Sequence, residues 1–567
     1  MGVVTVSEDL QPDAEWKRLA LAALRRSGTA GDDVGPDQVE ELLAALTYDG
    51  LRIPALQTAS SADLPPAGLP GRFPFVRGTR DATGLTAGWD IRQRHTAPDP
   101  GAILADLENG VTSIWLTDWE PSALDGVLLD LAGVVLDAGD AVAETGAAWF
   151  DLLAARGVDP AKATGGFGAD PVARGRALDD TVALAARCVA EAPGLRAITV
   201  DATIHHDAGG SEAEELGCAV AAGVGYLRAL TDAGLTVEQA LGQLEFRFAA
   251  TADQFATIAK LRAARRMWAR VAEMCGAPEA GGQRQHAVTS AAMMTARDPW
   301  VNLLRTTVAA FAAGVGGADA VTVLPFDHRI GRSDAFARRL ARNTQILLLE
   351  ESHVARVADP AGGSWYVERY TDELAHAGWD WFTTIERAGG FAAALDSGLI
   401  AGRLAATWAQ RRENLAHRRD PITGVSEFPD LAEKPLVRAA APAEAKGALP
   451  RHHYAEDFER LRDRSEGHAP TVLLIPIGSP AAYGPRVTFA TNLFAAGGIA
   501  VTTERGDGPL GVVCVCGAER DYAEQLDAVT AELNATRVLI AGRGDVRVGG
   551  NAVAVLTTVL ADLGVPL

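Results

Sequence analysis

The sequence predicts an α/β protein in two parts: a parallel eight-stranded βα barrel of the TIM type and a smaller α/β domain after it. Three observations predict this. A chain of 567 residues is too long for one compact core. Over residues 69–352, eight short apolar runs alternate with helical stretches, the pattern of a parallel barrel. After residue 468 the alternation resumes with four further strand signals.

The elements follow in order. Residues 1–68 read as an N-terminal arm with amphipathic helices over Glu15–Arg26 and Pro36–Thr47 and a turn-rich stretch from Thr58 to Pro66. Such an arm cannot bury much against itself, so it packs on something larger, either its own barrel or a partner chain. The barrel strands are expected at Trp89–Gln93, Thr112–Leu116, Gly133–Ala138, Ala163–Phe167, Ala197–Ala202, Leu244–Ala249, His286–Ser290 and Ala320–Pro325. The fourth is interrupted by Gly165-Gly166. Helices are expected over Trp149–Arg156, Asp170–Glu191, Ala213–Asp232, Ala252–Cys275, Pro299–Val315 and Arg332–Glu351. In such barrels function sits at the carboxyl ends of the strands.

Residues 353–468 form a helical linker region, with helices over Asp372–Arg387, Phe391–Ser397 and Ala401–His417 and an extended linker from Val437 to Gly447. Arg411-Arg412-Glu413 reads as a solvated helix face. Residues 469–567 carry strand signals at Thr471–Ile475, Ala500–Thr503, Gly511–Val515 and Arg537–Ala541. Helices over Pro485–Ala496, Tyr522–Asn534 and Ala552–Leu563 complete a domain of flavodoxin-like size.

Composition narrows the function. Net charge is −21, which repels phosphate backbones and anionic lipid and so argues against nucleic acid and membrane partners. No segment supplies the roughly 20 unbroken apolar residues of a spanning helix. The start of the chain lacks the basic flank and apolar run of a signal peptide. Five scattered cysteines point to reduced thiols and a cytoplasmic protein. Cys514 and Cys516 alternate in Val512-Val513-Cys514-Val515-Cys516 and should share one face of a buried strand. His205-His206 sits at the end of the fifth strand. Adjacent histidines on a strand end diverge, so the pair reads as solvated polar residues rather than metal ligands.

One stretch carries more order than the rest. It runs Arg342-Asn343-Thr344-Gln345, then Ala358-Asp359-Pro360-Ala361-Gly362-Gly363-Ser364-Trp365-Tyr366-Val367-Glu368, then Ile385-Glu386-Arg387 and Gly389-Gly390-Phe391. Taken together it resembles the adenosylcobalamin-dependent acyl-CoA mutases, and methylmalonyl-CoA mutase in particular. Pro74-Phe75-Val76-Arg77-Gly78, Trp89 and Ile91-Arg92-Gln93 extend the likeness.

The resemblance also shows what is missing. In the family's catalytic chains the last domain opens with a loop K-x-G-x-D-x-H-x-x-G, whose His takes the lower axial position on cobalt and is oriented by the Asp. Here the Lys, Asp and His positions match Pro476, Pro480 and Ala482, and no histidine follows His468. Before the first barrel strand, the tyrosine that packs against substrate and cofactor becomes Gly84, the Arg-Pro pair becomes Ala87-Gly88, and a closing tyrosine becomes Arg94. At the fifth strand the family's Tyr-His pair matches Thr203-Ile204. His205 lies one place later, which on a strand would turn it to the other face. At the eighth strand the Asn and Glu facing the adenosyl group become Leu324 and His328. Arg284, His286, Thr289 and Ser290 survive on the seventh strand.

The resemblance therefore implies a small, non-catalytic subunit of a heterodimeric methylmalonyl-CoA mutase. It binds no cofactor or metal itself and pairs 1:1 with a large subunit that holds adenosylcobalamin and interconverts methylmalonyl-CoA and succinyl-CoA. The alternative is a stand-alone barrel that binds acyl-CoA and regulates, with Arg92, Arg284 and His286 as possible residual ligand contacts.

Overall fold

The computed structural model describes residues 12–58, 64–80, 88–173, 178–441, 447–506, 510–544 and 546–566. The arm contributes α1 (Pro12–Arg26), α2 (Val39–Leu43) and a two-stranded hairpin, β1 (Ala45–Leu46) with β2 (Arg52–Ile53). The second expected helix is thus short. It is preceded by a 3-10 turn at Pro36–Gln38 and gives way to the hairpin before Thr47. The helices keep a small core of their own around Leu21, Ala30 and Val39. The hairpin ties the arm to its own chain: Tyr48 donates to Asp420, Ala213 N–H donates to Asp49, and Ile53 enters the barrel core.

All eight expected barrel strands form: β3 (Asp90–His95), β4 (Ser113–Leu116), β5 (Gly133–Leu136), β6 (Gly165–Ala169), β7 (Leu195–Asp201), β8 (Leu244–Ala250), β9 (Gln285–Thr289) and β10 (Ala320–Thr322). They pair in parallel, each with the next, and β10 closes on β3. β6 exists because of its glycines. Gly165 sits at φ +128°, and a Cβ there would lie 1.8 Å from the Val134 carbonyl oxygen. The register shifts between Gly166 and Ala169, a bulge that bends the strand past this approach.

Around the barrel lie α3 (Pro100–Glu108), α4 (Val142–Ala155), α5 (Asp179–Glu191), α6 (Thr203–Asp207), α7 (Glu212–Asp232), α8 (Val237–Gly242), α9 (Gln254–Met274), α10 (Asn302–Val315) and α11 (Ala335–Ile346). Local signals set the starts of several. Ser211 and Glu214 form a capping box at α7, and Asp253 accepts from Ala256 N–H at α9. α11 ends in a π turn over Leu347–Glu351, so the single helix expected there changes pitch in its last turns.

The linker region holds α12 (Trp365–Arg387), α13 (Phe391–Asp396), α14 (Leu399–Ala416) and α15 (Glu456–Ser465). α14 joins the two parts: Ile400 and Leu404 lie in the barrel core, whereas Trp408 and Leu415 lie in the core of the last sheet. Arg411 is not a solvated residue. Its guanidinium lies 4.1 Å from the Tyr48 ring centroid and 5.1 Å from that of Tyr454, while Arg412 and Glu413 are exposed as expected.

The C-terminal sheet is parallel, in the order β12 (Ala500–Thr502), β11 (Thr471–Pro476), β13 (Leu510–Cys516), β14 (Ala535–Ile540). Its helices are α16 (Pro480–Ala496), α17 (Glu519–Ala531) and α18 (Ala552–Asp562). Cys514 and Cys516 share the apolar face towards α18. α16 begins five residues before the expected Pro485, which lies inside it. Pro480 at the first helical position already has the φ a helix needs, and this overrides the later proline as a boundary signal.

Candidate functional site

The barrel interior is built from alternate residues of its strands, and they use one another. Glu245 of β8 is the hub at the amino-terminal end. It accepts from Arg92 at 2.7 Å and lies 3.6 Å from Arg284 Nε. Arg92 also reaches Ser113 (3.1 Å) and Asp90 (3.3 Å). Burial alone would raise the Glu245 carboxyl, but the Arg92 and Arg284 guanidiniums hold it well below the ordinary range. His286 is neutral, because burial beside Arg92 and Arg247 holds its pKa far below the usual value. Its Nδ1 accepts from Arg247 Nε (3.3 Å), so its Nε2–H faces Thr322 Oγ1 at 2.8 Å. Of the three possible ligand contacts, Arg92 and His286 are spent inside the barrel, and Arg284 keeps a half-exposed side chain.

Above this network Trp115 fills the lumen. It is 5% exposed, with the Arg247 guanidinium 4.0 Å and that of Arg94 4.8 Å from its ring centroid. His286 meets it edge-on at 5.4 Å. Val135, Val288, Met294 and Leu324 pack on it from above. Leu324 thus helps to close the lumen. His328 lies in the turn after β10, where burial, with Arg94 and Arg329 nearby, pushes its pKa down to about 3.

At the mouth, Thr203, Ile204, His205 and His206 lie on α6 rather than on a strand. A step of one residue there is a rotation about the helix, not a flip between faces, and both histidines are 2% exposed. The expectation of solvated side chains is therefore corrected. His205 packs edge-on against Phe391 at 5.7 Å, and burial pushes its pKa down to about 4. His206 Nε2 lies 2.7 Å from Ser290 Oγ. Gly84 and Ala87 lie outside the described residues.

The ordered stretch from Arg342 to Phe391 turns out to be a set of staples. Arg342 donates to Asp106 (2.6 Å), and Gln345 accepts from Trp89 Nε1 (3.0 Å). Asp359 binds Arg262 and Arg77, and Glu368 accepts from Arg262 (2.6 Å) and from Gly363 N–H (3.0 Å). Glu386 holds Arg228, and Phe391 covers His205. Arg342 and Gln345 fix α11 to the barrel wall, whereas Asp359, Glu368, Glu386 and Phe391 fix the linker to the barrel. Their partner Arg262 had no reading from the sequence, and neither did Glu245 and Lys260, which pair with Arg92 and Glu215 inside the barrel domain. Charged residues at buried positions of a strand or helix, such as Glu245 and Arg247 two apart in Leu244–Ala250, were the available signal.

In the last domain Pro476 ends β11, paired with Cys516, and Pro480 and Ala482 lie in the first turn of α16. Two residues, Gly478 and Ser479, separate that helix from Ile477, which is still bonded to Cys516. Arg486 of α16 packs against Gly542 so closely that a Cβ there would meet its guanidinium. Tyr522 Oη ties Gly517 N–H, Val515 O and Ala541 O together at the strand ends. An imidazole beneath cobalt needs a donor on a loop and a carboxylate behind it. These residues provide neither, so they do not fit a corrin. Among the described residues no group of three His, Cys, Asp or Glu is placed to hold a metal ion.

The profile of the methylmalonyl-CoA mutase family matches residues 104–473. The chain belongs to the methylmalonyl-CoA mutase family. It is similar to the methylmalonyl-CoA mutase small subunit of Streptomyces virginiae, 53% identical over 98% of this chain and 97% of that protein. The small subunit of Propionibacterium freudenreichii subsp. shermanii is 38% identical over 86% of this chain and 80% of its own length. The methylmalonyl-CoA mutase of Escherichia coli is 27% identical over 81% of this chain and 70% of its own. Among the described residues no helix is long and apolar enough to cross a membrane.

Proposed function

We propose that this chain is the structural, non-catalytic small subunit of an adenosylcobalamin-dependent methylmalonyl-CoA mutase. A large subunit carries the cofactor and interconverts methylmalonyl-CoA and succinyl-CoA, and this chain pairs with it 1:1 in the cytosol. Carrying the reading is the start of the last domain, where Pro476, Pro480 and Ala482 occupy a strand end and a helix turn and residues 469–567 contain no histidine. The filled lumen supports it: a thioester cannot thread a barrel occupied by Trp115 between two guanidiniums. The domain boundaries at residues 68, 352 and 468 belong to the same proposal, with the separate apolar cores of the barrel and of the C-terminal sheet as support.

What the chain can do is bury surface of its partner and hold it rigid, through a barrel cross-braced by Glu245, Lys260–Glu215 and the Asp359 staples. The acyl-CoA-binding alternative is the weaker reading, because Arg92 and His286 are committed to internal partners and only Arg284 keeps a half-exposed side chain. Co-expression with the large subunit, followed by native mass measurement, tests the proposal. A 1:1 complex is expected, and two independent monomers would refute it.

A further inference from the structure

The C-terminal sheet leaves one long edge open. β14 pairs with β13 and, among the described residues, with no strand on its other side. The opposite edge strand, β12, has three residues, the short edge by which proteins avoid unwanted pairing. β14 has six, Ala535-Thr536-Arg537-Val538-Leu539-Ile540, with neither proline nor lysine to block a neighbour. Val538, Leu539 and Ile540 are partly exposed there. Between this edge and α18 runs a trough of about 320 Å³, walled by Leu539, Val546, Val555 and Val559, with Arg537 and Arg543 at its rim.

We propose that β14 receives a fifth strand from the large subunit. The inference rests on the subunit reading above. A row of free N–H and C=O groups is matched by another peptide backbone and by no small molecule. An apolar trough on one face asks for apolar side chains at alternate positions of the incoming segment. The two rim arginines each hold one carboxylate, Asp562 and Glu519, and remain over 40% exposed, so the segment should carry acidic residues for their outer N–H groups. A second copy of this chain is a poorer occupant, since two bodies of net charge −21 repel.

Hydrogen exchange on the full chain, alone and with the large subunit, tests this. The amides of residues 535–540 that point away from β13 should slow by at least roughly tenfold in the complex. Ala554→Trp, at an exposed trough position on α18, should abolish that slowing while the circular dichroism of the free chain stays unchanged. If a 1:1 complex forms and these amides exchange at the free-chain rate, the strand proposal fails and the subunit reading stands. If no complex forms, both fail. Slow exchange in the chain alone together with a doubled mass would assign the edge to a second copy and overturn the proposal.

Discussion

Replacing Glu245 by Leu removes the one carboxylate that three cationic or polar groups of the barrel floor share. Arg92, 2% exposed, would keep only Asp90, at 3.3 Å, as an acidic partner. Removing one member of a buried pair costs about 3–5 kcal/mol, because the other charge stays desolvated. The double variant Glu245→Leu/Arg92→Met replaces both by apolar groups and should recover all but about 1–2 kcal/mol. Urea unfolding followed by tryptophan fluorescence reads this directly, since of the 11 tryptophans all but Trp16 of the arm and Trp408 of the C-terminal core belong to the barrel and linker. The pH dependence has a fixed sign. The folded carboxyl titrates well below its unfolded value of about 4.3, so its stabilisation is full above that pH and is lost as pH falls below it. The gap between native protein and the single variant should therefore narrow in acid. A loss under about 1 kcal/mol at neutral pH, with a gap independent of pH, would refute the internal-network account.

Other outcomes follow from the same structure. Trp115→Ala should cost about 3–5 kcal/mol in the same assay, as a buried aromatic with two guanidinium neighbours is lost. Arg262→Met should take the shared guanidinium from Asp359 and Glu368 and leave Arg77 as the one remaining cation on Asp359, so limited proteolysis should cut near residues 359–364 several times faster than in the native chain. The triple change Pro476→Lys, Pro480→Asp and Ala482→His, which writes in a lysine, a carboxylate and an imidazole, should not confer corrinoid binding, read by visible absorbance after gel filtration. The helix starts at Pro480 and Arg486 covers Gly542.

The barrel was legible because all eight strands are apolar runs set between helical periods, and even β6 could be placed despite the glycines that make its bulge possible. The staples were legible as a motif, but their partner Arg262 and the buried pairs made by Lys260 and Glu245 were not. Arg262, Lys260 and Glu245 are charged residues, for which exposure is the ordinary expectation, and only the fold reveals that each is buried against an opposite charge. His205 and His206 were misplaced because the strand ends at Asp201 and α6 follows at once, a change of period too short to show in five residues. Arg411 was misread for a related reason: its partners Tyr48 and Tyr454 are remote in sequence. In the last domain the absent histidine needed only reading, whereas the early start of α16 depended on Pro480 acting as a first helical residue.

Equilibrium dialysis of the purified chain against adenosylcobalamin, alone and with its large subunit, bears most directly on the division of labour proposed here. The isolated chain should retain no corrinoid, and the pair should hold one per two chains. One equivalent held by the isolated chain, with conversion of methylmalonyl-CoA to succinyl-CoA, would contradict it.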